Sequence, residues 1–145
     1  MSTSTVQDSI RRQITIDAPV DLVWRLVSTP GWWINDGEVF EHDTTVDGDT
    51  TTLHWKGADY PIRTLATDEP RSVAFQWGSG RSDETDAPRT RIDFTLEQTG
   101  DGVLVTVVES GFAAYADAAE ATRTYGENVA GWEQELAAAK TALER

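Results

Sequence analysis

The sequence predicts an α+β fold: a curved, seven-stranded antiparallel sheet wrapped on a long C-terminal helix, with short helices after the first strand. Three observations carry this. Thr122, Tyr125, Val129, Trp132, Leu136, Ala139 and Leu143 fall at steps of three and four, one apolar stripe down a helix. Between Glu38 and Trp77, successive turn signals give hairpin registers that put the large residues on one common face. The segments run strand, helix, six strands, long helix, which segregates the helices from the sheet.

The elements follow in order. Ser9 to Ile16 alternates, with Ile10, Arg12, Ile14 and Ile16 on one side, and reads as a strand. Asp17, Ala18 and Pro19, with Asp21 in the next turn, open a helix through an Asp near the cap and a Pro in the first turn; Val20, Val23, Trp24 and Val27 stripe it, and Pro30-Gly31 close it. An Asp47-Gly48 turn predicts Phe40 opposite Trp55, Glu41 opposite His54 and His42 opposite Leu53. Lys56-Gly57 pairs Leu53 with Tyr60 and Thr51 with Ile62. A turn around Asp68 to Arg71 brings Ile62 near Trp77, Thr64 near Phe75 and Ala66 near Val73. Gly78 to Pro88 reads as a polar loop. A Gly100-Asp101 turn then pairs Leu96 with Val105, Phe94 with Val107 and Ile92 with Glu109. Ala113 to Arg123 is Ala-rich and helical in propensity, with Gly126 a point where the final helix can kink or split.

The chain has 145 residues, which fits residues 1–8 as a disordered tail and 9–145 as a single domain. Without Cys it has no disulfide, thiolate metal site or Cys nucleophile. A formal charge of −13 argues against nucleic acid and anionic lipid as partners. No apolar run suggests membrane insertion, and the polar N-terminus lacks a signal-peptide pattern, so a cytoplasmic location is expected.

Several motifs together resemble a known family. Ile14-Thr15-Ile16-Asp17-Ala18-Pro19 followed by Val23-Trp24 is similar to the opening of the START-like, Bet v 1-like helix-grip proteins of the SRPBCC superfamily. Trp32-Trp33, Phe75-Gln76-Trp77, Glu109-Ser110-Gly111-Phe112 and Gly131-Trp132 with Leu136 resemble, more narrowly, the family named after the activator of Hsp90 ATPase. The resemblance implies a deep cavity between the long helix and the sheet. Its superfamily binds lipids, sterols or polyketides, and some members are cyclases or hydrolases. The chaperone role belongs to eukaryotic members with an additional domain. The resemblance implies a hydrophobic small-molecule partner and no cofactor, and leaves a homodimer or a protein partner open.

Aromatic side chains suit the walls of such a cavity, and Trp33, Phe40, Trp55, Tyr60, Phe75, Trp77, Phe94, Phe112 and Trp132 are the candidates. The simpler reading, that these rings fill the core, weighs about as much. For Trp32 and Trp33 the alternatives are a gate at the cavity mouth and a plug at the end of the core. Glu109 is the most informative residue, because its register faces inward, where a carboxylate is costly unless hydrogen-bonded. It either anchors a ligand hydroxyl, acts as an acid or base with His42, or reaches solvent at the strand end, and His42 itself has inward parity and is a ligand-contact candidate. Glu41, His42 and Asp43 alternate faces and cannot converge, so no metal is expected. There is no G-x-S-x-G elbow, and Gly78-Ser79-Gly80 lacks the Lys of a phosphate loop. Gly131 is expected to allow close helix–sheet contact.

Overall fold

The computed structural model describes residues 8–35, 37–39, 41–77, 90–100, 102–112 and 118–144. Its elements are β1 (Ser9–Ile16), α1 (Val20–Val27), β2 (Asp43–Asp47), β3 (Thr50–Trp55), β4 (Ala58–Asp68), β5 (Ser72–Trp77), β6 (Arg91–Thr99), β7 (Gly102–Ser110) and α2 (Ala118–Leu143). The strands form one curved antiparallel sheet in the order β1-β7-β6-β5-β4-β3-β2. The expected loop 78–88 lies outside the described residues.

Turn chemistry sets the registers. Lys56 and Gly57 both take positive φ, 52° and 77°, the signature of a type I′ hairpin turn. Leu53 therefore faces Tyr60 and Thr51 faces Ile62, as the sequence predicts. On β6 and β7 the expected pairs Leu96–Val105, Phe94–Val107 and Ile92–Glu109 also form. Ile62 faces Trp77 and Thr64 faces Phe75, but an irregularity between Thr64 and Ala66 shifts the rest. Ala66 then meets Ala74 instead of Val73, because a bulge adds one residue to one strand.

The β2–β3 turn differs from expectation. Asp47 pairs with Thr50, so Gly48-Asp49 is the two-residue loop. Gly48 has φ 62° and Asp49 is not in the positive region, which is the II′ arrangement with Gly at the first central position. An Asp47-Gly48 loop of type I′ would have forced Asp47 itself to positive φ. Asp43 and Thr44 consequently take the places expected of Glu41 and His42, opposite His54 and Leu53. His54 bonds instead to Asp59 Oδ1 at 2.7 Å and Thr45 Oγ1 at 2.8 Å. β2 is short and exposed throughout, with Asp at both ends.

Pro19 stands at the cap of α1, and Val23, Trp24 and Val27 are buried from it. Beyond this helix Gly31 adopts φ 78°, where a Cβ would come within 2.5 Å of Leu53 Cδ1. Only glycine lets the chain turn so close to β3 and send Trp32 and Trp33 inward. In α2 the stripe buries Trp132, Leu136 and Ala139. At its start Ala121 is buried and Thr122 is exposed, the reverse of the expected edge of the stripe. The helix runs unbroken through Gly126 over the described Ala118–Leu143; residues 113–117 lie outside the described residues. The core between sheet and helix holds Leu53, Ile62, Phe75, Ile92, Phe94 and Val107, all essentially inaccessible. Burying each such side chain stabilises the fold by about 1.5–3 kcal/mol.

Candidate functional site

Alternation along β7 turns Glu109 inward, and the structure buries it at 1 % exposure. Burying a carboxylate is costly unless donors replace its water. Here Trp132 Nε1–H donates to Oε1 at 2.8 Å. Thr90 Oγ1–H donates to Oε2 at 2.5 Å. Asn128 Nδ2–H reaches both oxygens, at 3.1 and 3.3 Å. Asn128 and Trp132 are one helical turn apart on α2, so both side chains lie over the same strand end. The solvent-exposed strand-end reading of Glu109 is thereby removed.

A second buried carboxylate comes from α2. Glu135, 5 % exposed, is three residues from Trp132 and shares its face. Its Oε1 accepts from Asn35 Nδ2 at 2.9 Å, and its Oε2 accepts from the Gly37 amide at 3.1 Å and Gln134 Nε2 at 3.2 Å. Asn35 also donates to the Trp32 carbonyl at 2.6 Å and accepts from His42 Nε2 at 3.0 Å through Oδ1. Burial lowers the pKa of His42, opposed by a backbone hydrogen bond at Ile34. Among the described residues neither Glu109 nor Glu135 has a Lys or Arg partner.

Both carboxylates line one cavity of about 240 Å³, together with Trp33, Ile34, Asn35, Trp77, Asn128, Gly131, Trp132 and Gln134. Trp33 sits at its centre of rings, 5.9 Å from Trp77 and 5.7 Å from Trp132. The Trp33 indole N–H is buried and has no hydrogen-bond acceptor among the described residues. A Cβ on Gly131 would meet nothing within 4 Å, so this glycine leaves space beside the cavity and does not mediate a tight helix–sheet contact. A larger cavity of about 600 Å³ lies between α1, β2 and the end of α2, lined by Arg25, Trp32, His42 and Leu143 among others.

Of the residues proposed from sequence, Trp33, Trp77, Glu109 and Trp132 meet around the smaller cavity. His42 lines the larger one, so the imagined acid–base partnership of Glu109 with His42 is not assembled in a single cavity. Trp55 packs edge-on to His42 at 5.6 Å and carries Lys56 Nζ over its ring at 4.5 Å. Tyr60 is half-buried at the margin of the core. Phe75 and Phe94 are wholly internal, and Phe112 is buried against Tyr125 at 5.3 Å. None of these five lines either cavity. Phe40 lies outside the described residues. Trp32 and Trp33 are 3 % and 7 % exposed, which makes them core plugs that also form cavity wall, Trp32 in the larger cavity and Trp33 in the smaller. Asn35, Asn128, Glu135 and Thr90 were missed. The signal for Glu135 was available: Trp132, Glu135, Leu136 and Ala139 form one helical face with a carboxylate in it.

A long helix held by a curved antiparallel sheet, with a polar-anchored cavity between them, defines a helix-grip protein. The chain belongs to the family described as Activator of Hsp90 ATPase homolog 1-like protein, whose sequence model matches residues 17–144. Its fold is similar to that of protein MLL2253 from Mesorhizobium loti, at 20% identity and a TM-score of 0.71, covering 94% of this chain and 97% of that one. The Aha1 dimer from Colwellia psychrerythraea is similar at 19% identity and a TM-score of 0.70, over 95% of this chain and 97% of that one. DynU16, from the dynemicin biosynthetic locus, matches at 21% identity and a TM-score of 0.68, over 95% of this chain but 48% of its own. No curated protein sequence matches this one. Among the described residues no helix is long and apolar enough to cross a membrane.

Proposed function

We propose that this protein binds a small hydrophobic or aromatic molecule in the cavity between α2 and the sheet, against Trp33, Trp77 and Trp132. The observation that carries the reading is Glu109: a wholly buried carboxylate, held by donors from α2 and the segment before β6, in the wall of a cavity. A side chain serving only packing would be apolar there, because an apolar residue of similar size needs no donors. The four donor contacts largely occupy the carboxylate, so its part is to position Asn128 and Trp132 as walls. A fold relative from a biosynthetic locus is in keeping with a small organic ligand.

The test is Trp fluorescence against a panel of neutral lipids, flavonoids and polyketides, on the wild-type protein and on Gly131→Leu. Space beside Gly131 lets a Leu project into the cavity while improving helix propensity. Saturable quenching in the wild type, lost in the variant, is the expected result. Quenching that persists unchanged in Gly131→Leu would place binding elsewhere.

A further inference from the structure

Resting on that reading, we infer the class of ligand: a small organic cation, a protonated or quaternary amine. The cavity is bounded by three indoles, Trp33, Trp77 and Trp132, and by two buried carboxylates, Glu109 and Glu135. The groups bonded to those carboxylates are neutral: indole, hydroxyl, amides and a backbone N–H. Neutral donors satisfy lone pairs but leave the negative charge in place, and no Lys or Arg among the described residues pairs with either.

Charge and rings favour the same guest. An indole face attracts a cation through its quadrupole, and more strongly where water is excluded. Two carboxylates with no Lys or Arg partner among the described residues raise that preference and oppose an acid, because charges at a wall of lower dielectric than water interact more strongly than in water. The overall charge of −13 acts in the same direction at longer range.

The volume, about 240 Å³, is below the roughly 300–1,000 Å³ of drug-sized sites, so the guest is small.

Three probes of nearly one shape test this by titration of Trp fluorescence. They are phenacyl trimethylammonium, its uncharged carbon isostere neopentyl phenyl ketone, and the anion benzoylpropionate. The cation is expected to bind about tenfold or more tighter than the ketone, and the anion not to bind measurably. Benzyl trimethylammonium, a cation without the carbonyl, is also expected to bind more tightly than the ketone. Glu135→Gln should weaken the cation by about threefold or more relative to its effect on the ketone. Gly131→Leu should abolish binding of both. The comparison of cation with ketone is made on the wild-type protein, so it decides the charge preference even if Glu135→Gln misfolds. Equal affinity for cation and ketone would overturn the charge preference while leaving a small-molecule site standing. Failure of every probe and of the neutral panel would overturn both readings.

Discussion

Trp132 donates its indole N–H to Glu109 at 2.8 Å, which fastens the middle of α2 to the end of β7. Replacing Trp132 with Phe keeps an aromatic ring but leaves Glu109 Oε1 with Asn128 alone. A buried charged acceptor short of a donor, plus the lost ring volume, should cost about 1–3 kcal/mol. Urea denaturation of Trp132→Phe reads this; an unchanged midpoint would mean the bond contributes nothing to holding the helix.

Gly131, the neighbour of that Trp, is a different case. It lies inside α2 with open space where a Cβ would go. Gly131→Ala should stabilise the protein by up to about 1 kcal/mol through helix propensity and a less flexible unfolded chain. The same methyl narrows the cavity, so affinity for the larger cavity ligands should fall as the melting temperature rises. A variant that gains stability and binds every ligand as before would show that Gly131 is not part of the wall.

His42 predicts an acid sensitivity. Burial lowers its folded pKa below the ordinary 6.5, so the unfolded chain takes up the proton first. Its contribution to stability is therefore complete above about 6.5 and is lost as pH falls through that value towards the folded pKa. Comparing urea midpoints at about pH 7.5 and about pH 5.5, the wild type should lose more than His42→Gln does. Glu144, held low by the Asp17 amide and Lys140, and Asp49, held low by Arg63, lose their contributions only in the lower, carboxylate range. Identical losses in wild type and variant would remove His42 as the cause.

Two glycines separate backbone strain from collision. Gly31 and Gly48 both have positive φ, but only at Gly31 would a Cβ strike another side chain, Leu53. Gly31→Ala should cost roughly 1–3 kcal/mol beyond the cost of Gly48→Ala, since it adds overpacking to the same conformational strain. Equal melting temperatures for the two variants would count against the close approach of this turn to β3.

Much of this architecture could be read from the chain, and the reasons differ by element. The inward position of Glu109 followed from alternation along β7 and one turn, both local signals. The β4 irregularity was illegible because Leu65 looks like any other strand residue; the extra residue is fixed by what β5 offers. The β2 slip arose because the glycine in Asp47-Gly48-Asp49 can serve at either central position, and the choice belongs to the strands around it. The candidate site was half-visible for a related reason. Trp33, Trp77, Glu109 and Trp132 stood out by residue type, whereas Asn35 and Asn128 are ordinary polar residues until the fold brings carboxylates to them. Glu135 finds its donors in Asn35 and the Gly37 amide, about a hundred positions earlier, and no spacing rule spans that distance.

The shortness of β2, five residues, also decides how the molecule treats strangers along that margin. A foreign strand seeking to extend the sheet there would gain few backbone bonds. It would have to approach Asp43 and Asp47, with one apolar side chain, Val46, as reward. On a chain so rich in negative charge, a second copy arriving at that border meets repulsion before it meets any adhesive surface.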